Sequence, residues 1–298
     1  ATGVAFLAVM LVVFTSMLRY PAGLESGLLD GLRYWLSQHE VGRGGQRWSF
    51  YVSILFAYEW LVLVLAGAGG GAGWRRRDPV VGWLATMALV QLAVYTWAGE
   101  KYAWLMLHPV IPAVLLAGIG VQAIADAGMP AGVRRMGTAV LAVASALTLF
   151  VAVRPAITHG DDARELLVTV QTSGQVRDVA AELRADQATG RIGTILIDDR
   201  DSGSWPWVWY LHEMNVAYVT VDPAQPLPEG YDAYVVAATY DDPPPAVPEG
   251  FTIERIALRS WWLPDWPGAS VGDVTRWLFT RHTWNPTGSS DQWIIRRV

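Results

Sequence analysis

Cysteine is absent from the chain, so disulfide frameworks, thiolate zinc sites and cysteine nucleophiles are excluded together. Lysine occurs once, as Lys101, among 22 basic residues. Charge as a whole is scarce: 16% of residues are Asp, Glu, Lys or Arg, against roughly 25% in a typical soluble domain. A formal net charge of -5 leaves no basic surface for a phosphate backbone, which excludes nucleic acid as a partner. A hydrophobic share of 52% excludes a disordered chain. The five histidines are scattered; His212-Glu213 is followed by Val216 where a zincin-type site needs its second histidine, and no G-x-S-x-G nucleophile elbow occurs. In excess is tryptophan, 16 residues of it, a side chain whose apolar ring and polar N–H suit membrane interfaces and sugar-binding surfaces.

The average charge conceals two regions. Residues 1–153 hold 10 basic and 7 acidic residues, and 154–298 hold 12 and 20. The first region reads as a transmembrane domain and the second as an extracytoplasmic α/β domain. Apolar runs at 3–18, 51–69, 79–98, 103–125 and 137–153 contain one formal charge, Glu59. About 20 helical residues cross a hydrocarbon layer of ~30 Å, so the runs predict about five spans, the first being the shortest. Arg75, Arg76 and Arg77 in one connection, and Arg134 and Arg135 in another two spans later, orient both toward the cytoplasm. The 19–50 loop, the 99–102 loop and the acidic tail then lie outside. The chain begins at Ala1 with no basic n-region and no small-residue cleavage site, so it reads as the C-terminal portion of a larger membrane protein rather than as one opening on a signal peptide. Gly67 to Gly73 lacks the Lys-Ser/Thr of a phosphate loop and reads as a flexible connector.

Candidate chemistry gathers on the outer side. Leu24, Leu28, Leu32, Trp35 and Leu36 recur at helical spacing, which predicts a helix lying in the membrane interface. Beyond it, Arg43 and Arg47 stand among glycines, a pattern that suits a lipid phosphate because guanidinium forks match phosphate oxygens; plain anchoring to anionic headgroups would use the same residues. Glu59, about two turns into a span, is costly there unless paired or wetted. Lys101, His108, Arg43 and Arg47 are its candidate partners, and a structural ion pair or a protonated Glu buried between helices is the alternative. Glu100 shares the outer loop with Lys101. His108 precedes Pro109 and Pro112, which interrupt the helical ladder and would open a polar cavity, although a packing histidine fits the same position.

In the tail, strands are predicted at 166–171, 194–198, 217–221, 234–238 and 251–258, with helices after Thr172-Ser173-Gly174 and near 207–214. This β-α-β-α-β order implies a small doubly wound, mainly parallel sheet. Asp198, Asp199, Asp222 and Asp241 follow predicted strands, and the carboxyl ends of parallel strands share the edge where ligands bind. A sugar-hydroxyl or divalent-cation site there competes with simple solvated loop carboxylates. Trp205, Trp207, Trp209, Trp261, Trp262 and Trp266 would stack on sugars, rest on the membrane or fill the core.

Tyr34-Trp35-Leu36-Ser37-Gln38-His39-Glu40-Val41 with Arg43-Gly44-Gly45-Gln46 and Trp48, then Tyr58-Glu59, then Trp97-Ala98-Gly99-Glu100-Lys101 with Trp104-Leu105 and His108-Pro109, resemble the archaeal and bacterial flippase activity-associated family. Trp261-Trp262-Leu263-Pro264-Asp265 and Trp284-Asn285-Pro286-Thr287-Gly288-Ser289 extend the resemblance along nearly the whole chain. Proteins of this family look like GT-C membrane glycosyltransferases related to protein mannosyltransferases and lipid A aminoarabinose transferases. The resemblance implies a plasma-membrane enzyme that transfers a sugar from a polyprenyl-phosphate carrier to a protein or glycan acceptor at the outer face. It implies that Arg43, Arg47 and Lys101 hold the lipid phosphate; Lys101 lies in a segment similar to the relatives' S-x-x-K-x-P-x-Y, with Ala103 where the proline stands. It places the catalytic carboxylate in a first outer loop upstream of residue 1, leaving Glu59, Glu100 and His108 in supporting positions and this chain inactive alone. No cofactor is firmly implied, a divalent cation being an open alternative. A non-catalytic accessory of a lipid-linked-sugar flippase, or a sugar-binding membrane scaffold, is the competing reading.

Overall fold

The computed structural model describes residues 2–37, 39, 42, 45–239 and 243–298. The chain divides into two compact units, Ala1–Thr138 and Ala139–Val298.

The first unit is helical. Helix α1 (Thr2–Phe14) has 13 residues among those described, about 20 Å at ~1.5 Å per residue. It ends where Thr15 Oγ1 accepts the Leu18 amide and Ser16, Met17 and Leu18 take left-handed backbone. A helix forms after Leu24, as a π-helical turn (Glu25–Asp30) running into α2 (Gly31–Ser37), with no buried residue in either. Next come α3 (Phe50–Tyr58) and α4 (Trp60–Arg76), bent by 93° at Glu59. Helix α5 (Pro79–Trp97) starts where Asp78 accepts the Val80 amide and Pro79 occupies the first turn, the usual place for a residue without an N–H. A 3-10 turn (Ala103–Met106) leads into α6 (Leu107–Ala125), and α7 (Ala131–Val153) begins in this unit and continues into the second. Among the described residues three helical stretches are long and apolar enough to span a membrane, at Pro79–Trp97, Ala103–Ala125 and Ala131–Thr158, and the bent pair α3–α4 makes up to four. Five are expected from the sequence; among the described residues three or four meet this length and composition, and α1 is a shorter apolar helix.

Two further expectations are corrected. Gly67 to Gly73 is no connector; it is the middle of α4. A Cβ on Gly69 would lie 2.0 Å from the Leu116 carbonyl oxygen, and one on Gly120 2.1 Å from that of Leu65. The glycines let α4 and α6 touch backbone to backbone, the packing that small residues permit where no hydrophobic effect drives association. Pro109 and Pro112 open no polar cavity. Pro109 falls in the first turn of α6, where its amide would lack a helical partner anyway, and α6 continues past Pro112, both prolines being buried. The adjoining crevice of about 270 Å³ is apolar, lined by Leu55, Leu63 and Leu92 among others.

The second unit carries a five-stranded sheet. Ser173 caps α8 (Gly174–Ala188) by accepting the Gln175 amide. Strand β1 (Ile195–Asp198) is followed by α9 (Trp207–Tyr210), β2 (Val216–Val219), β3 (Ala233–Ala238), β4 (Phe251–Trp261), α10 (Val271–Thr280) and β5 (Gly288–Arg297). The order across the sheet is β2-β1-β3-β5-β4. β1 pairs in parallel with β2 and β3, whereas β5 runs antiparallel to both β3 and β4. The sheet is thus mixed, not mainly parallel. The reason is β5, which inserts between β3 and β4 and buries Ile294 on one face and Ile295 on the other. The strand expected at 166–171 is missing because the Gln171 side chain intercepts its hydrogen bonds, accepting the Thr169 and Val170 amides and donating to the Leu167 carbonyl. One face of the sheet packs under α8 and α9 through Val176, Leu183, Trp207 and Ile197, each large side chain contributing about 1.5–3 kcal/mol by burial. The other face is covered by loops, around Leu196, Tyr234 and Ile295.

Candidate functional site

In the helical unit the loops on one side meet at the end of α5. His39 stacks on Trp97 with ring centroids 4.0 Å apart, and Trp35 lies 6.3 Å from the same indole. Tyr51, in the first turn of α3, donates to the Tyr102 carbonyl at 3.2 Å. That bond sets the start of α3, and Arg47 one turn before it, against the loop that carries Glu100 and Lys101. Tyr95 packs 6.3 Å from Tyr51 and 5.2 Å from His108, whose Nδ1 donates to Leu105 O at 3.1 Å. The result is a wall of aromatic rings. Tyr51 and Tyr95 were not singled out in the sequence; their signal is a tyrosine one turn inside each of two apolar helices.

Lys101 Nζ lies 5.8 Å from the centre of the Tyr51 ring, but its protons are directed to backbone carbonyls. The residue is only 4% exposed, and its Nζ donates to Tyr95 O at 3.2 Å, to Thr96 O at 2.9 Å and to Ala98 O. An ammonium has three protons, and all three go to carbonyls at the end of α5, where the helix dipole favours a cation. Burial pushes its pKa down. These carbonyl bonds close the end of α5. Arg47 is exposed and free to meet a ligand. Arg43 lies outside the described residues.

Glu59 is also placed differently from the expectation. It sits at the break between α3 and α4, with φ -115° and ψ 19°, not inside a continuous helix. It is half-buried, and among the described residues its carboxylate has no hydrogen-bond or ion-pair partner; Lys101 and His108 are engaged elsewhere.

In the tail, Asp198, Asp199 and Asp222 do share the carboxyl edge of the parallel strands, as the strand order requires. Asp241 lies outside the described residues. Asp198 is fully buried and accepts four N–H donors: the Arg200 and Val221 amides at 3.2 and 3.1 Å on one oxygen, Arg200 Nε and the Ala237 amide at 2.8 and 3.1 Å on the other. With every acceptor position used, it ties the ends of β1 and β3 to the segment after β2 and has nothing left for a sugar or a cation. Asp199 accepts the Thr220 hydroxyl at 2.7 Å, and Asp222 accepts the Ala224 amide at 2.9 Å through one oxygen. Among the described residues no three His, Cys, Asp or Glu are grouped to hold a metal.

The tryptophans divide. Trp207 and Trp262 are core, while Trp205 and Trp209 are exposed. The two tail motifs form one knot: Asn285 Oδ1 accepts from Trp262 Nε1 at 3.0 Å and from the Asp265 amide at 3.1 Å, and Asn285 Nδ2 donates to Leu263 O. Trp284 Nε1 donates to Asp265 O, and its ring meets Trp262 edge-on. These residues hold each other. No family model, no curated protein and no solved structure matches the chain.

Proposed function

We propose that the chain is the carrier-facing portion of a GT-C-like membrane glycosyltransferase, which takes a sugar from a polyprenyl-phosphate carrier at the outer face of the plasma membrane. The observation that carries the reading is the Tyr51–Tyr102 hydrogen bond with the His39–Trp97 stack. Together they bring the two loops that carry the family-like motifs to one end of the apolar helices. Arg47, with Arg43, neutralises the phosphate that departs as the sugar C1–O bond breaks. The acceptor hydroxyl loses its proton to a carboxylate that belongs, in this reading, to sequence before residue 1. Glu59, Glu100 and His108 support the site and Lys101 positions the loop.

The test uses the full-length protein reconstituted with a polyprenyl-phosphate hexose and an acceptor. Release of polyprenyl phosphate is expected, and Arg47→Ala should slow it at least about tenfold, the scale of one charge-assisted contact. Lys101→Met should lower thermal stability first. No release under any acceptor, with the carrier still bound, would replace the enzyme with the accessory reading; unchanged turnover in Arg47→Ala would remove the phosphate role.

A further inference from the structure

The loop-covered face of the tail sheet holds a cavity of about 320 Å³ at the carboxyl ends of β1 and β3, roofed by the segments 222–227 and 243–246. That volume falls at the small end of ligand pockets. Its wall combines Arg200, Asp222, Gln225 and Trp293 with proline rings that include Pro226 and Pro244. Arg200 Nε is tied to Asp198, but Arg200 Nη2 is without a hydrogen-bond partner among the described residues. Asp222 uses one oxygen on the Ala224 amide and keeps the other. Trp293 is half-buried, with the Arg255 guanidinium 5.5 Å from its ring.

From this chemistry we propose that the cavity is a binding site for a neutral saccharide. A sugar hydroxyl is donor and acceptor at once, and the wall answers both needs: Asp222 accepts, Arg200 donates and the Gln225 amide does either. The indole and the proline rings supply apolar surface for the C–H face of a pyranose. A simple anion is disfavoured, because the Arg200 charge is already paired with Asp198 and the same edge carries Asp199 and Asp222. Among the described residues a divalent cation is disfavoured, because Asp198 has no free oxygen and no group of three carboxylates or histidines is present. The site consists of tail residues only, so it stands or falls independently of the carrier-lipid reading.

The experiment is saturation-transfer NMR on the full chain in a detergent without a sugar headgroup, with the methyl glycosides of mannose, glucose and galactose as probes. Transfer to the ring protons of at least one glycoside is expected. Asp222→Ala and Gln225→Ala, both exposed positions that leave the core intact, should each weaken it roughly tenfold, the scale of one lost hydrogen bond. No transfer from any glycoside overturns the proposal, as does transfer undiminished in both variants. Displacement by equimolar inorganic phosphate would mark an anion site and overturn it equally.

Discussion

The two units satisfy their polar groups in opposite ways. In the helical unit the side-chain hydrogen bonds are mostly local: Thr15 to Leu11, Ser53 to Ser49, Thr86 to Gly82 and Lys101 to its own preceding turn. In the tail, local bonds are joined by many that reach across the sequence: Arg281 to Glu165, Gln292 to Trp207 and Gly203, Asn285 to Trp262, Asp198 to Val221 and Ala237. The difference follows from the solvent each sequence is written for. A helix in an apolar medium has to settle its polar atoms within its own turns, since an unsettled one costs several kcal/mol. Between such helices, close fit replaces polar linkage. The tail has strands whose connecting loops need pinning, and buried side chains from distant residues do it.

The comparison breaks first at the glycines if it is wrong. Gly69→Val and Gly120→Val each thrust a side chain into a carbonyl oxygen about 2 Å from where the Cβ would sit. The α4–α6 contact cannot relax around backbone atoms, so either variant should fail to yield a monodisperse protein in detergent. Gly118→Ala, on the same helix as Gly120 with nothing within 4 Å, should be stabilised slightly, by about 0.5–1 kcal/mol, through helix propensity alone. Equal tolerance at positions 69 and 118 would remove close fit as the principle of the helical unit.

The corresponding test in the tail is Asp198→Ala. It strands the Arg200 guanidinium and three backbone amides, and should cost about 3–5 kcal/mol, as for other buried pairs broken from one side. Asp199→Ala, one residue on but exposed, should change stability by less than about 0.5 kcal/mol. Near-UV circular dichroism of the tail tryptophans during thermal unfolding reads both. A similar small loss for the two would mean that the long-range bonds do not hold the tail.

How much of this was legible beforehand differs between the units for the same reason. Apolar runs marked α5, α6 and α7 because length and composition are local properties. The capping serine of α8 and the strands β1 to β4 were readable within a few residues, since period and cap chemistry are local too. What escaped was relational. β5 gains its identity from pairing with β3 and β4, and the 166–171 run loses its strand to one glutamine side chain. Gly69 reads as slack until Gly120 is opposite it. The site followed the same pattern: Asp198, Asp199 and Asp222 were placed on the correct edge by strand polarity, but that Asp198 is used up depends on amides 23 and 39 residues away. The burial of Lys101 is not legible in the sequence, because its carbonyl partners carry no sequence signature at all.

The smallest expected effect concerns Asp232, which the comparison singles out as a long-range pin at the surface. Its carboxylate accepts the Gly193 amide at 2.8 Å and the Thr194 amide at 3.3 Å, and Arg297 lies 3.0 Å away. The Gly193 hydrogen bond foremost, then those of Thr194 and the Arg297 charge, hold its pKa below the usual carboxylate value. Folding therefore favours the ionised form. The stabilisation is complete above the unfolded pKa of about 4 and is lost as pH falls through the lower folded value. Hydrogen exchange of the 191–199 segment should report it. At pH 7, Asp232→Asn should speed exchange there by roughly tenfold, equivalent to about 1 kcal/mol, and the gap between the two proteins should close at acid pH. A gap that persisted once Asp232 is protonated would show that the pin acts through shape alone, and the charge-based half of the contrast between the two units would have to be given up.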